Sequence, residues 1–173
     1  MISNARRASR CVGLTLLLIG AGCQHSETTS PDTPETLVIP APAPGEIQTP
    51  VRLDVGAGSP ISPGALKLTA GIHEARNIGA TGAANLDTAA VQLLVAGDAN
   101  GIPVMLGVVA GRASGEVTLN ASSTAEALVL LSPALATSDP VISRQELSLI
   151  RASSKLTALK TLVSSGIAAA PAT

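Results

Sequence analysis

The chain has 173 residues, enough for a short leader and one domain of ordinary size, and its 11 basic residues nearly balance its 12 acidic ones. It contains no Phe, Trp or Tyr, which excludes base-stacking platforms and aromatic cages. The acidic residues are spread singly and the basic residues form no patch after residue 22, so nucleic acid is not expected as a partner.

The first 22 residues have the three-part layout of an export signal. Three arginines precede an apolar stretch over residues 11–19, and the small residues 20–22 follow. The stretch is too short for a membrane-spanning helix, which needs about 20 apolar residues. The sequence therefore predicts a signal peptide over residues 1–22 that is removed after export.

The segment Ile19-Gly20-Ala21-Gly22-Cys23 resembles the lipobox of bacterial lipoproteins, although Leu is more common than Gly at the position of Gly20. The resemblance implies cleavage before Cys23 and lipidation of its thiol, so that the mature chain begins there. Each buried CH₂ of the acyl chains adds ~0.8 kcal/mol to membrane binding. An ordinary signal peptide that ends at a cysteine by chance is the alternative.

The cysteine count agrees with lipidation. Cys11 lies within the signal, so Cys23 is alone in the mature chain and no intramolecular disulfide can form. The lipobox resemblance also concerns Gln24, because Asp at that position favours retention in the inner membrane of Gram-negative bacteria. We therefore expect a lipid-anchored protein of the cell envelope, in the outer membrane if the cell is Gram-negative.

Residues 23–50 are predicted to be a lipid-anchored tether. Six prolines between Pro31 and Pro50 are interspersed with Ser, Thr and acidic residues. Proline at this density disfavours helices and central strands and extends the chain. The tether would hold the folded part away from the bilayer.

Residues 51–120 are predicted to be a β-rich unit, because short apolar runs alternate with Gly, Pro and Asn. Val51, Leu53 and Val55 alternate with polar neighbours, as in a half-buried strand. The spacing of the runs favours a sandwich-like unit or a partly open barrel.

The segment 97–101, Gly-Asp-Ala-Asn-Gly, separates two strongly apolar runs and predicts a hairpin turn. A calcium loop is the alternative interpretation of Asp98 and Asn100. That loop needs further carboxylates, including a Glu at its twelfth position, which the segment lacks. No metal site is predicted.

Residues 121–168 are predicted to be a helical segment packed on the β-rich unit. Ser123 to Glu126 has the spacing of a capping box, which predicts the start of a first helix. The residues that follow are apolar on every face, so Leu128 and Leu131 are expected to be buried.

Two further helices are predicted after the first. Asp139-Pro140 is a typical helix start, and another helix is expected to follow residue 153 or 154. Gly166 is expected to end this last helix. Residues 169–173 are predicted to form a frayed tail.

The predicted fold class is α+β, a small β-sandwich-like unit followed by a C-terminal bundle of about three short helices. The succession of strands, a Ser-Thr-Ala helix and a helical pair also resembles uncharacterised modules of exported bacterial proteins. That resemblance covers about the last 80 residues and implies an architecture but no activity.

No residue is predicted to be catalytic, and no cofactor is expected. The histidines are His25, in the tether, and His73, beside Glu74 in a glycine-flanked loop, and no serine lies in a nucleophile elbow. The expected function is a non-catalytic structural, adaptor or binding module, joined to the membrane through Cys23 and to an unidentified protein partner in the envelope. The alternative is an enzyme or small-ligand carrier with a site of scattered polar residues near His73.

Overall fold

The computed structural model describes residues 39–111 and 115–170, all within one compact unit that spans Thr36–Thr173. Within these residues, strands come first and three α-helices follow, so the predicted α+β fold with a helical C-terminal part is confirmed. The predicted signal peptide, Cys23, and residues 24–38 lie outside the described residues. None of the described helices has the length and hydrophobicity needed to cross a bilayer.

The strands of the described residues are β1 (Glu46–Leu53), β2 (Lys67–Ala70), β3 (Arg76–Asn77), β4 (Thr81–Asp87), β5 (Val91–Gly97), β6 (Pro103–Ala110) and β7 (Val117–Leu119). The α-helices are α1 (Ala121–Leu130), α2 (Pro140–Ala152) and α3 (Lys155–Ala169), and a short 3₁₀ turn occupies Pro63–Ala65.

The strands form two small sheets. In the three-stranded sheet, β1 lies between β4, which is antiparallel to it, and β7, which is parallel to it. The four-stranded sheet has the order β3-β2-β5-β6 and is antiparallel throughout. Strands β6 and β7 are therefore each the last strand at one edge of a sheet.

Strand β1 begins at Glu46, inside the segment predicted to be tether, and contains Pro50. Proline is tolerated in a strand where its missing N–H has no partner strand to bond. The hydrogen bond from Leu53 N to Ala80 O shows that the odd-numbered residues of β1 direct their backbone N–H and C=O groups towards β4. The backbone N of Pro50 therefore points to the opposite side, towards β7. Because the pairing with β7 starts only at Val51, the missing N–H of Pro50 costs no hydrogen bond of the sheet.

The apolar core has two clusters. The first is filled by side chains of both sheets, and its fully buried members include Leu66, Leu86, Leu94, Met105 and Leu119. The second joins the three helices and consists of Ala125, Leu130, Leu147, Ile150 and Leu156. Without aromatic residues, both clusters are packed from aliphatic side chains.

Helix α1 begins earlier than predicted. Asn120 is the N-cap, because its side chain accepts a hydrogen bond from Ser123 N (3.0 Å), and Ser123 Oγ accepts one from Asn120 N (2.9 Å). The capping box is real but lies three residues before the predicted one. The predicted burial of Leu128 and Leu131 is wrong, since these side chains are 47% and 44% exposed and Leu130 is buried instead.

The start of α2 is confirmed: the Asp139 side chain accepts hydrogen bonds from Val141 N and Ile142 N, and Pro140 is the first helical residue. Helix α3 follows Ser154 as expected but runs through Gly166 to Ala169. The prediction that Gly166 ends it is wrong. A helical glycine costs only about 1 kcal/mol relative to alanine, and Ile167 beyond it is buried in the first core cluster.

Candidate functional site

A groove of about 380 Å³ lies between the edges of the two sheets and helices α1 and α2. We call it the edge groove. Its volume falls within the range of small ligand sites, about 300–1,000 Å³. Residues of β6, of β7 and its approach, of α1 and of α2 line it: Gly107, Val108, Val109, Ala110, Glu116, Val117, Thr118, Ser123, Glu126, Arg144, Leu147 and Arg151.

Helix side chains bond the outer edge of β6 at two places. Leu106 N donates to Thr124 Oγ1 (3.0 Å), and Leu106 O accepts from Ser123 Oγ (2.8 Å). Four residues further on, Ala110 O accepts from Arg144 Nη1 (2.9 Å). These side-chain contacts cover the outer edge of β6 at Leu106 and at the C=O of Ala110.

Val108 lies between those two places and faces the same way. In an antiparallel pair, alternate residues direct their N–H and C=O away from the partner strand. The backbone groups of Leu106 and Ala110 point away from β5, so those of Val108 point away from β5 too, into the groove that this residue lines. Within the described residues, no hydrogen-bond partner is found for its N–H or C=O.

Thr118 is the corresponding residue of β7. Asp54 N donates to Leu119 O, so Leu119 faces β1 and Thr118 faces away from it. Its backbone groups likewise have no partner among the residues that the structure describes. An edge strand presents such groups as a template for another chain. The edge groove therefore contains backbone groups from both sheets that have no partner among residues 39–111 and 115–170.

The carboxylate of Glu126 is the buried charge of the groove. It accepts hydrogen bonds from Arg151 Nε (2.9 Å) and Ser122 Oγ (3.3 Å), and Lys160 Nζ lies 3.8 Å away. Charge-assisted hydrogen bonds of this kind are stronger than neutral ones. Since Arg151 belongs to α2 and Lys160 to α3, Glu126 links all three helices electrostatically.

Arg144 is the second arginine of the groove. Its hydrogen bond to Ala110 O uses one of the five N–H donors of the guanidinium. Gly111 leaves room for it, because a Cβ there would lie 2.7 Å from Arg144 Nη1, and its φ of +72° also favours glycine. In the described part of the chain, no carboxylate lies within ion-pair distance of Arg144.

His73 lies outside the edge groove. Its Nε2 is 2.7 Å from Glu46 Oε1, at the start of β1, and the neighbouring Glu74 is exposed. The indentation beside His73 holds only about 20 Å³, close to the space that one water molecule requires. The structure thus pairs His73 with a carboxylate that is distant in the sequence, and it leaves little room beside the pair for a substrate.

The hairpin turn predicted at 97–101 is confirmed. Asp98 Oδ1 accepts hydrogen bonds from Asn100 N (2.9 Å) and Ile102 N (2.8 Å), and Gly101 has a φ of +79°. The carboxylate therefore serves the turn itself. Across residues 39–111 and 115–170, no three His, Cys, Asp or Glu side chains are close enough to hold a metal ion.

An apolar groove of about 430 Å³ lies among the three helices, lined by Val129, Leu149, Ile150, Leu156 and Leu159 with Ser153 and Lys155. Leu149 is 73% exposed. Lys155 and Ser153 are its polar lining residues among those that the structure describes, and the rest of the lining is aliphatic.

The residues that distinguish the edge groove were not predicted from the sequence. Arg144 and Arg151 are seven positions apart and so share one face of α2, a signal that was present in the sequence. The free edges at Val108 and Thr118 depend on which strands pair, which no local pattern reveals. Comparison with known proteins found no matching family model, no matching curated protein and no matching solved structure.

Proposed function

We propose that the chain is a membrane-anchored lipoprotein of the cell envelope whose folded part is a non-catalytic binding module for a protein partner. The edge groove is the observation that supports binding. It combines a volume suited to a ligand with backbone groups at Val108 and Thr118 and a cation at Arg144 that, among the described residues, have no strand partner and no carboxylate partner respectively.

The arrangement of charges favours binding over catalysis. A general base must reach its substrate directly or through one water. The buried groove carboxylate, Glu126, is instead engaged by Arg151 and Ser122, and the other, Glu116, is exposed to solvent. His73 lies beside an indentation about the size of a water molecule.

The anchoring half of the proposal rests on the lipobox-like segment that ends at Cys23. Residues 24–39 would connect the lipid to the folded part, and at ~3.1 Å per extended residue they span at most about 50 Å. This reach places the module close to the membrane surface. Gln24 supports sorting to the outer membrane in a Gram-negative cell.

An enzyme or small-ligand carrier at His73 is the second candidate. The short contact between His73 and the half-buried Glu46 favours it, because a carboxylate orients an imidazole and supports its role as a base. The narrow space beside the pair makes it the weaker candidate.

Photo-crosslinking in intact cells tests the proposed function. A benzoylphenylalanine replaces Glu116, an exposed residue at the groove, and in the control it replaces Lys67, an exposed residue of β2 outside the groove. We expect a discrete protein adduct from position 116 alone, in the membrane fraction. Equal adducts from both positions, or none from either, would contradict a groove-binding module.

The same experiment separates the two candidates. With benzoylphenylalanine at position 116, an additional His73→Ala change should leave the adduct intact. Loss of the adduct with preserved protein levels would favour a site at His73.

A further inference from the structure

We infer that the edge groove takes an extended peptide segment of its partner, which adds as a strand between β6 and β7 and sets a carboxylate against Arg144. This inference rests on the proposed function and names the form and charge of the ligand.

The backbone geometry specifies an extended segment. Successive residues of a strand direct their N–H and C=O to opposite sides. One peptide residue can therefore bond Val108 on β6, while the next bonds Thr118 on β7. Main-chain hydrogen bonds of this type drive peptide binding by strand addition. Since the two strands belong to different sheets, the added strand would connect the sheets.

The charges specify an acidic group on the peptide. Arg151 and Lys160 both approach Glu126, so the buried carboxylate of the groove is already compensated, and the other lining carboxylate, Glu116, is exposed to solvent. Arg144 retains free donors and has no carboxylate partner in the described residues. A guanidinium matches the geometry of a carboxylate. An Asp, a Glu or the C-terminus of the peptide would satisfy it.

The chain's own N-terminal segment is a poorer occupant. Pro40 O accepts from Asn85 Nδ2, and Gly45 O accepts from Thr88 N, so residues 40–45 run beside β4. Strands β4 and β7 lie at opposite edges of the three-stranded sheet. Residues 40–45 thus lie at the edge of the sheet opposite to the edge groove.

Peptides selected from a random phage-displayed 12-residue library on the full mature protein test the inference. Synthetic copies are measured by fluorescence anisotropy, unmodified and with single N-methyl groups that remove one N–H each. We expect N-methylation at two adjacent central residues to weaken binding at least about tenfold each, because the two N–H groups bond different strands.

Arg144→Gln should weaken binding by about tenfold, the effect of losing one charge-assisted contact. Arg144→Lys should retain part of the affinity, and Lys67→Gln, which lies outside the groove, should retain all of it.

Recovery of no binding peptide, or affinity that ignores both N-methylation and Arg144, would overturn the inference. Selection of sequences matching residues 24–38 would also overturn it, since the occupant would then be a second copy of this chain. The proposed function is tested separately by the adduct from position 116, which survives if only the strand-addition geometry is wrong.

Discussion

Two leucines of α1, two positions apart, should lose very different amounts of stability when each is replaced by alanine. Leu130 is 3% exposed and packs in the core cluster that joins the helices, whereas Leu128 is 47% exposed. Truncating a buried leucine to alanine costs about 2–5 kcal/mol of unfolding free energy. An exposed position changes it by about 0.5 kcal/mol or less.

Urea unfolding of a chain spanning residues 36–173 measures the difference. With a slope of about 2 kcal/mol/M, Leu130→Ala should lower the midpoint by about 1–2.5 M, and Leu128→Ala by at most about 0.25 M. Helix propensity cannot produce this contrast, because both variants make the same change within one helix.

Equal midpoints for the two variants would refute the packing of α1 described above. A larger loss from Leu128→Ala would mean that the helix is rotated and that the expectation drawn from sequence alone was correct. A changed slope would instead indicate an altered denatured state.

Three other changes have defined outcomes. Cys23→Ser should abolish fatty-acid labelling in cells and leave uncleaved or soluble protein, and equal labelling would end the lipoprotein proposal. Asn120→Ala removes the cap of α1 and should cost about 0.5–2 kcal/mol in thermal or urea unfolding, whereas the neighbouring exposed Glu116→Ala should cost little. Removing residues before Val51 deletes most of the β1 pairing with β4, so a chain starting there should lose its cooperative melt by circular dichroism, in contrast to one starting at Thr36.

Local signals in the sequence predicted much of the fold. Asp139-Pro140 started α2 as expected, and the segment 97–101 formed the turn between two strands, because each depends on neighbouring residues only. The fold class followed from the order of strand-like and helix-like segments.

The start of α1 was not predicted correctly, because the spacing of Ser123 and Glu126 fits a capping box although the helix begins three residues earlier. The structure selects Asn120, and the hydroxyls of Ser123 and Thr124 bond Leu106 on β6. That contact depends on how the helix crosses the sheet edge. His73 contacts Glu46, which lies 27 residues before it in the sequence. This contact also depends on the tertiary fold, and the carboxylate next to His73 in the sequence is that of Glu74.

Amide hydrogen exchange at Val108 and Thr118 in the full mature protein tests the central claim most directly. In the free protein, both amides should exchange faster than that of Val109, which pairs with β5. A saturating concentration of a peptide selected from the phage-displayed library should slow the exchange of both amides together. Slow exchange at both sites in the free protein, or no change when the peptide is bound, would contradict a groove that binds an added strand.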